Sequence, residues 1–351
     1  TAWDEGIFAN KHYESVASAS VTIGSQVETL PDYMFYGFPI QTLTIPGTLK
    51  TIGNCVFDEC KKLTSLIYEP SPTGTPLTHG FNDDSDDDGP FYASPLTSVH
   101  LNREINYTYA SSATGAWEGL FGKGSDDHAL TDIVIGEQVK TLSSYMFAHA
   151  PITSFVIPAT VTSIERNVFD DCKSLTSITF ENSSTPLQLK SQGDSYGPFY
   201  DSPLATIVCN RPIDYRKING SEFNPTSDVL GVFAISSDAK SQISDGTDLT
   251  IGQAVTTISN HMFYNLPIKT ITIPGSVNTI GNNVFNGCNS LTEITFEPSP
   301  TGESLTIGYE TSGESENLFQ DYCKLTTLNL NRELIYTFGD SYIDSNSEGL
   351  F

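Results

Sequence analysis

The chain has 351 residues and carries 42 acidic against 17 basic side chains, which gives a net charge of −25 at pH 7. This charge excludes nucleic acid as a likely partner and argues against anionic membrane surfaces, because both require a basic face. The sequence contains no run of 18 apolar residues, so it predicts no membrane insertion within this fragment.

Three segments of the chain are nearly identical and begin about 112 residues apart. They are Ile45–Leu66, Ile157–Ile178 and Ile273–Ile294. Inside each large unit runs a smaller period of about 22–23 residues, which lengthens to about 33–34 where a loop is inserted. A period on this scale indicates stacked coils, because one coil cannot bury its apolar side alone.

Each coil begins with about six residues in which apolar side chains alternate with Thr or Ser, as in residues 40–45 (IQTLTI). This alternation predicts a half-buried strand. Pro46, Pro158 and Pro274 directly follow their strands, where proline ends ladder pairing. The Val-Phe pair that comes next, for example Val56 and Phe57, has the spacing of a tight turn or of a helix of one or two windings.

Two predictions about packing follow from this coil. The first is a single parallel sheet along the length of the chain, with Leu43, Leu66, Val99 and Ile133 stacked in a ladder. The second is that Phe57, Phe169 and Phe285 are buried in equivalent places.

The motif Ile-Pro-x-x-Val-x-x-Ile-Gly-x-x-Val-Phe-x-x-Cys-x-x-Leu resembles the BspA-like leucine-rich repeat, and the resemblance covers nearly the whole chain. Val56, Val168 and Val284 stand where that family usually has Ala. The resemblance implies a leucine-rich-repeat solenoid, a right-handed coil with a parallel β-sheet on one face and short strands, turns or single-turn helices on the other, mostly β with little α. It also implies a bacterial cell-surface or secreted protein that binds host or matrix components and has no catalytic residues.

The expected organisation is one continuous solenoid over residues 1–351. Its parts are the end of a preceding unit and three repeat units, at residues 1–19, 20–129, 130–245 and 246–351. The chain begins and ends at similar landmarks, Gly6-Ile-Phe8 and Gly349-Leu-Phe351. We therefore expect a portion of a longer protein whose export signal is not in this fragment.

The six cysteines do not predict a disulfide framework. Cys60, Cys172 and Cys288 occupy the same repeat position, so stacking places them ~20 Å apart, beyond the ~7 Å that a disulfide tolerates. We expect them to be small buried hydrophobic residues. Cys288 and Cys323 lie at similar positions on adjacent coils, which leaves open whether they form a disulfide.

Calcium is the only cofactor that the sequence suggests. Asp84, Asp86 and Asp88, followed by Gly89, match the first half of a calcium loop, in which alternate carboxylates converge on the ion. The second half does not match, because Pro95 stands where a bidentate Glu is needed. The segment is either a weak calcium site or a solvated acidic loop.

A recurring Asn-Arg pair is the first candidate binding site. Three of the five arginines occur there, and a tyrosine follows each: Arg103 with Tyr107, Arg211 with Tyr215, and Arg332 with Tyr336. Arginine with tyrosine can bind an acidic or glycan ligand by bidentate and stacking contacts. The alternative is an internal ion pair that anchors the inserted loop.

The strand-facing Thr and Ser residues are the second candidate, as a regular polar face for an extended partner. The alternative is that Thr simply favours exposed strand positions. These residues are Thr42, Thr44, Thr64, Ser65, Thr97, Ser98, Thr131, Thr176, Ser177, Thr270, Thr272, Thr292, Thr326 and Thr327.

The sequence favours a non-enzymatic protein, extracellular or at the cell surface, that binds a protein or glycan on a host or matrix surface. The alternative function is a structural spacer that presents another domain. An enzyme is disfavoured, because Ser237-Asp-Ala-Lys240 fits Ser-x-x-Lys without its partner motifs.

Overall fold

The structure is a computed structural model, and it describes a defined set of residues. They are residues 7–8, 16–80, 90–91, 93–107, 119–122, 130–191, 197–217, 232–233, 237–307, 318 and 324–336. The chain forms two compact units. Unit 1 comprises residues 1–153 and 163–174, and unit 2 comprises residues 154–162 and 175–351. The division into residues 1–19, 20–129, 130–245 and 246–351, and the prediction that these parts form one continuous solenoid, stay untested.

Unit 1 contains two sets of short parallel strands. The strands of this unit are β1 (Thr29–Leu30), β2 (Thr42–Ile45), β3 (Thr51–Ile52), β4 (Ser65–Tyr68), β5 (Leu77–His79), β6 (Ser98–Leu101), β7 (Ile105–Tyr107), β8 (Asp132–Ile135), β9 (Thr141–Leu142) and β11 (Ser163–Ile164). The front strands pair in the order β2-β4-β6-β8, and the back strands in the order β1-β3-β5-β7. β9 and β11 form a further parallel back pair.

Unit 2 repeats this arrangement. Its elements are β10 (Ser154–Ile157), β12 (Ser177–Phe180), β13 (Leu187–Ser191), β14 (Thr206–Cys209), β15 (Ile213–Lys217), α1 (Ser237–Ser241), β16 (Asp248–Ile251), β17 (Thr257–Ile258), β18 (Thr270–Ile273), β19 (Thr279–Ile280), β20 (Glu293–Phe296), β21 (Leu305–Ile307), β22 (Thr327–Leu330) and β23 (Leu334–Tyr336). The back strands pair in the order β13-β15-β17-β19-β21-β23. In the part of the chain that the structure describes, α1 is the only α-helix.

The predicted inward ladder is confirmed for unit 1. Leu43 pairs with Leu66, Leu66 with Val99, and Val99 with Ile133. The strands alternate as the sequence predicts, since Leu43 and Leu66 are buried while their neighbours face solvent. The β-branched and Leu side chains of successive coils therefore pack directly on one another.

The prediction of a single front sheet is wrong for unit 2, whose front strands form two sheets, β10-β12-β14-β16 and β18-β20-β22. The break coincides with a shorter step of the chain. β18 follows β16 after 22 residues, from Asp248 to Thr270, whereas the steps that keep the ladder have 23 residues or more. We call such a 22-residue step a junction.

The Val-Phe segment forms a tight turn and not a helix. Cys55 and Glu59 flank the first of these turns, and both have left-handed backbone angles, with φ of 49° and 57°. The turn after Asn167 repeats this pattern, with φ of 55° at Asn167 and 53° at Asp171. A right-handed helix cannot continue through such residues.

Within each unit, the turns stack phenylalanines of successive coils in a column. Phe57, Phe169 and Phe285 are at most 1% exposed, which confirms their predicted burial. The stacked contacts, given as distances between ring centroids, include Phe35–Phe57 at 6.0 Å, Phe57–Phe91 at 5.6 Å and Phe147–Phe169 at 5.6 Å in unit 1, and Phe199–Phe233 at 5.4 Å and Phe263–Phe285 at 6.1 Å in unit 2.

The repeated cysteines are buried, as predicted, and each thiol also binds the backbone. The Sγ atom of Cys60 donates to the Phe35 carbonyl at 3.2 Å, and Cys172 donates to the Phe147 carbonyl at 3.0 Å. Burial raises the pKa of the Cys60 thiol. Whether Cys288 and Cys323 form a disulfide stays open, because Cys323 lies outside the described residues.

Candidate functional site on the outward strand face

The first recurring arginine lies inside unit 1. Arg103 is 1% exposed, and its guanidinium donates to carbonyl oxygens of the turn that follows β2. Nη1 lies 3.0 Å from the Gly47 oxygen and 2.9 Å from the Leu49 oxygen, while Nη2 donates to Thr75 at 2.8 Å. One side chain therefore joins the turns of three successive coils.

The same arrangement recurs in unit 2. Arg211 is 0% exposed and donates to Val161 at 2.8 Å and, through Nε and Nη2, to Thr185 at 3.2 and 2.8 Å. Arg332 is half-buried and donates to Val277 at 2.6 Å and to Glu303 at 3.2 Å. Each arginine binds the Ile-Pro-x-x-Leu/Val turn of its own unit.

The turn that receives Arg103 is also tightly packed. A Cβ atom at Gly47 would lie 2.0 Å from the carbonyl oxygen of Pro70, and Gly275 meets Pro298 in the same way. Unit 2 has Ala159 in the other copy of this turn, and Asn182 there replaces the proline. The glycine and the proline therefore occur together where the backbones approach most closely.

These contacts bear on the arginine and tyrosine ligand site that the sequence suggested. Burial lowers the pKa of Arg103 and Arg211, and a guanidinium keeps its charge at neutral pH regardless. The Nη donors of both side chains point at backbone carbonyls and both side chains are buried, so neither offers an exposed guanidinium to a ligand. The geometry favours the anchoring alternative, with backbone carbonyls in place of the expected carboxylates. A ligand-binding role for these residues stays an untested prediction.

Each of the three tyrosines lies on the back strand that directly follows its arginine. Tyr107 in β7 and Tyr215 in β15 are buried, at 6% and 5% exposure, and Tyr336 in β23 is half-buried. Tyr107 pairs in register with His79, and Tyr215 with Leu189. These rings are therefore part of the back-strand packing.

Several of the predicted strand-facing threonines bind the preceding coil. The Thr64 hydroxyl donates to the Gln41 carbonyl at 3.3 Å, and the Thr97 hydroxyl donates to the Thr64 carbonyl at 3.2 Å. Thr292 and Thr326 do the same in unit 2. The threonine that precedes each of these strands thus stabilises the stack of coils.

The side chains that do face solvent form two rows across the front strands, which we call the outward strand face. In unit 1 they are Thr42, Ser65, Ser98 and Asp132 in one row and Thr44, Ile67, His100 and Val134 in the other. In unit 2 they are Ser154, Val156, Ser177, Thr179, Thr206, Val208, Asp248, Thr250, Thr270, Thr272, Glu293, Thr295, Thr327 and Asn329. Neither list contains a Lys or an Arg.

This face mixes hydroxyl groups with exposed apolar groups. Val134 is 40% exposed and Val156 is 51% exposed, each within its own unit. The sequence predicted hydroxyl residues such as Thr42 and Ser177 on this face, but the prediction did not include these valines, Ile67 and His100. Strict period-two spacing from the inward ladder would have found them.

One polar cluster orders the face of unit 1. The Oδ2 atom of Asp132 accepts a hydrogen bond from Ser98 Oγ at 2.7 Å and lies 3.0 Å from His100 Nε2. The hydrogen bond from Ser98, followed by that from His100, lowers the pKa of Asp132. The cluster joins the two neighbouring strands β6 and β8 in a fixed polar pattern at the surface.

The predicted calcium residues Asp84, Asp86 and Asp88 lie outside the described residues. Within the described ranges, no three His, Cys, Asp or Glu side chains come close enough together to hold a metal ion. No helix in those ranges is both long enough and apolar enough to cross a membrane.

The repeat geometry corresponds to a known family. The family model of the BspA type leucine rich repeat region matches residues 6–76, 125–228 and 231–347, in six copies. The chain belongs to this family. The predicted fold class, a leucine-rich-repeat solenoid of parallel strands with little helix, is thereby confirmed.

Solved structures of leucine-rich repeat proteins are similar to the chain. One from Bacteroides ovatus is 17% identical with a TM-score of 0.49, covering 91% of this chain and 72% of its own. One from Eubacterium ventriosum is 16% identical with a TM-score of 0.34, covering 87% and 78%. A leucine rich cell surface protein from Faecalibacterium prausnitzii is 18% identical with a TM-score of 0.23, covering 80% and 86%. No curated protein matches the sequence.

Proposed function

We propose that this protein is a non-enzymatic repeat protein, at the cell surface or secreted, that binds a macromolecular partner through its outward strand face. The partner is a protein or a glycan of a host or matrix surface. Membership of the BspA-type repeat family supports the location and the class of function, in line with the resemblance of the repeat motif.

The proposal depends on one observation: the recurring arginine and cysteine side chains are inside the coils, whereas the recurring hydroxyl side chains face solvent. Arg103, Arg211 and Cys60 bind backbone carbonyls inside the coils. The outward strand face instead offers hydroxyl and apolar side chains to solvent, at the ~4.8 Å spacing of paired strands. A regular, weakly charged face of this kind suits a large partner that makes many small contacts.

The test is binding of the whole chain to a panel of purified extracellular-matrix proteins and immobilised glycans, measured by surface plasmon resonance. A face variant, Val156→Arg with Thr250→Arg, places two bulky cations on the outward strand face of unit 2. A matched control, Gln188→Arg with Thr306→Arg, adds the same charge at exposed positions of the back strands of that unit.

The proposal predicts saturable binding to at least one member of the panel. The face variant should lose most of this binding, whereas the back-strand control should keep it. Failure to bind any member, with the protein folded, would contradict the proposal and favour the spacer. Equal loss in both variants would show that the outward strand face is not the binding surface.

A further inference from the structure

A cleft lies at one end of the outward strand face of unit 1. Residues 18–23 approach β2 across a junction, and the two segments meet only at the parallel bridge between Ala19 and Ile40 among the described residues. There the Ala19 N–H donates to the Pro39 carbonyl at 2.7 Å. Beyond the bridge the segments separate and enclose a cleft of about 460 Å³. This volume lies within the ~300–1,000 Å³ typical of small-molecule sites.

The cleft has two hydroxyl-bearing walls. Ser20 and Thr22 line it from the segment before the junction, and Thr42 and Thr44 line it from β2. Each hydroxyl can both donate and accept a hydrogen bond. Ala19, Val21, Ile23 and Pro46 complete the lining with apolar surface.

A carboxylate and an amide add fixed polarity. Glu69 lines the cleft, and its Oε2 atom accepts a hydrogen bond from the Gly47 N–H at 3.3 Å, which holds the carboxylate in place. Gln41 supplies an amide with both a donor and an acceptor. No basic side chain is among the described residues that line the cleft, and the chain has a net charge of −25. An anionic ligand would therefore be repelled.

We propose that this cleft binds a neutral oligosaccharide. Paired donors and acceptors on both walls match the hydroxyl groups of a sugar, and the apolar residues offer surface for the ring C–H groups. An extended peptide would add to the open edge of β2, but the bridge at Ala19 already occupies part of that edge. The inference rests on the proposed binding function and adds a glycan subsite at one end of the outward strand face.

Unit 2 contains a similar junction with different side chains. The second junction, between β16 and β18, places Thr270 and Thr272 where unit 1 has Thr42 and Thr44. Lys269 there replaces Gln41, and Asp248 replaces Ser20 in the alignment of the two junctions. Two charged side chains therefore stand where the first cleft has an uncharged amide and a hydroxyl.

The experiment is isothermal titration calorimetry of the whole chain with maltohexaose, cellohexaose and mannohexaose, and with heparin hexasaccharide as an anionic comparison. The test variant is Thr42→Val with Thr44→Val, which keeps the side-chain shape and removes two hydroxyls. The control is Thr78→Val with Thr306→Val, which makes the same change at two exposed threonines of the back strands, outside the outward strand face. Ser20→Ala tests the opposite wall independently of the β2 strand, and the melting temperature of each variant verifies folding.

We expect at least one neutral hexasaccharide to bind and heparin hexasaccharide not to bind. The Thr42/Thr44 variant should bind roughly tenfold more weakly, as expected for the loss of two net hydrogen bonds. Ser20→Ala should also weaken binding, and the Thr78/Thr306 control should bind like the parent. The proposal is overturned if no neutral hexasaccharide gives heat, if heparin hexasaccharide binds more tightly, or if substitutions on both walls leave the affinity unchanged.

The two proposals fail separately. Saturable binding to the matrix and glycan panel, without any hexasaccharide binding, would overturn the cleft and leave the function standing. The opposite outcome is also possible to distinguish. If the Thr42/Thr44 variant weakens hexasaccharide binding, the cleft is supported. If panel binding is lost only in the back-strand control, the outward strand face is overturned as the main binding surface.

Discussion

A buried arginine in this repeat exchanges its hydration for a set of backbone contacts. Arg211 makes hydrogen bonds to the carbonyls of Val161 and Thr185, two coils and one coil before it in unit 2. Hydrogen bonds to a charged donor contribute about 1.5–3 kcal/mol each. The side chain therefore connects coils that no covalent bond joins, and its removal leaves buried carbonyls without donors.

We expect Arg211→Met to lower the free energy of unfolding by about 3–5 kcal/mol, because the aliphatic stem is kept while every donor is lost. Arg332→Met is the matched control at the same repeat position, and it should cost distinctly less because Arg332 is half-buried and partly solvated. Urea unfolding measures both. Equal costs at the two positions, or no cost at Arg211, would contradict the anchoring role.

His79 makes unit 1 sensitive to acid. The ring is 0% exposed and packs against Phe91, and burial lowers its pKa to about 4. Above pH 6.5 the ring is neutral in both folded and unfolded chains. Between pH 6.5 and about 4 only the unfolded chain takes up the proton, so the free energy of unfolding falls by about 1.4 kcal/mol per pH unit, about 3 kcal/mol in all.

The substitution His79→Leu tests this, because Leu189 occupies the corresponding back-strand position of unit 2. The variant should lose about 3 kcal/mol less than the parent when urea unfolding is compared at pH 7 and pH 4. The reverse exchange, Leu189→His, should add acid sensitivity of the same sign. An identical pH dependence in parent and His79→Leu would refute the assignment.

At the scale of elements, the turns determine how successive coils meet. The left-handed residues at Cys55 and Glu59 bend the chain so that each coil contributes one ring to the phenylalanine column. Phe169 lies 5.6 Å from Phe147 in this column and is completely buried. Parallel strands alone provide only short ladders here, so the column contributes much of the apolar burial between coils.

Phe169→Ala should lower the free energy of unfolding by about 3–5 kcal/mol, as large buried aromatic side chains do when truncated. Phe8 stacks on Phe35 at 5.6 Å but is 42% exposed. Phe8→Ala should therefore cost much less, and it serves as the control. A thermal melt that is unchanged in Phe169→Ala would show that the column does not stabilise the stack.

Much of this architecture could be predicted from the sequence, because the alternation of apolar and polar side chains indicates which residues of each strand are buried. The Leu43–Leu66 ladder and the burial of Phe57 follow directly from that spacing. The anchoring of Arg211 could not be predicted in detail, since its partners are backbone carbonyls that have no sequence signature. The left-handed turns could not be predicted either, because their residues, Cys55, Glu59 and Asn167, share no residue type. The break before β18 coincides with a step only one residue shorter than steps that keep the ladder, a difference too small to predict a break.

At the scale of the whole molecule, an acidic chain of net charge −25 keeps its most regular cationic groups inside. Arg103 and Arg211 are withdrawn from the surface, so the exposed charge is more negative than the composition alone suggests. The outward strand face carries few charges by comparison. Long-range repulsion therefore disfavours anionic partners, while neutral partners that contact this face are tolerated.

The most direct test of the account is a comparison of affinity with stability in two variants, for whichever panel member the parent chain binds. The account predicts that Arg211→Met keeps its affinity and melts at a lower temperature. It predicts that Val156→Arg with Thr250→Arg loses affinity and melts like the parent. The opposite pattern, with binding lost in Arg211→Met at an unchanged melting temperature, would place the functional surface at the recurring arginines and contradict the account.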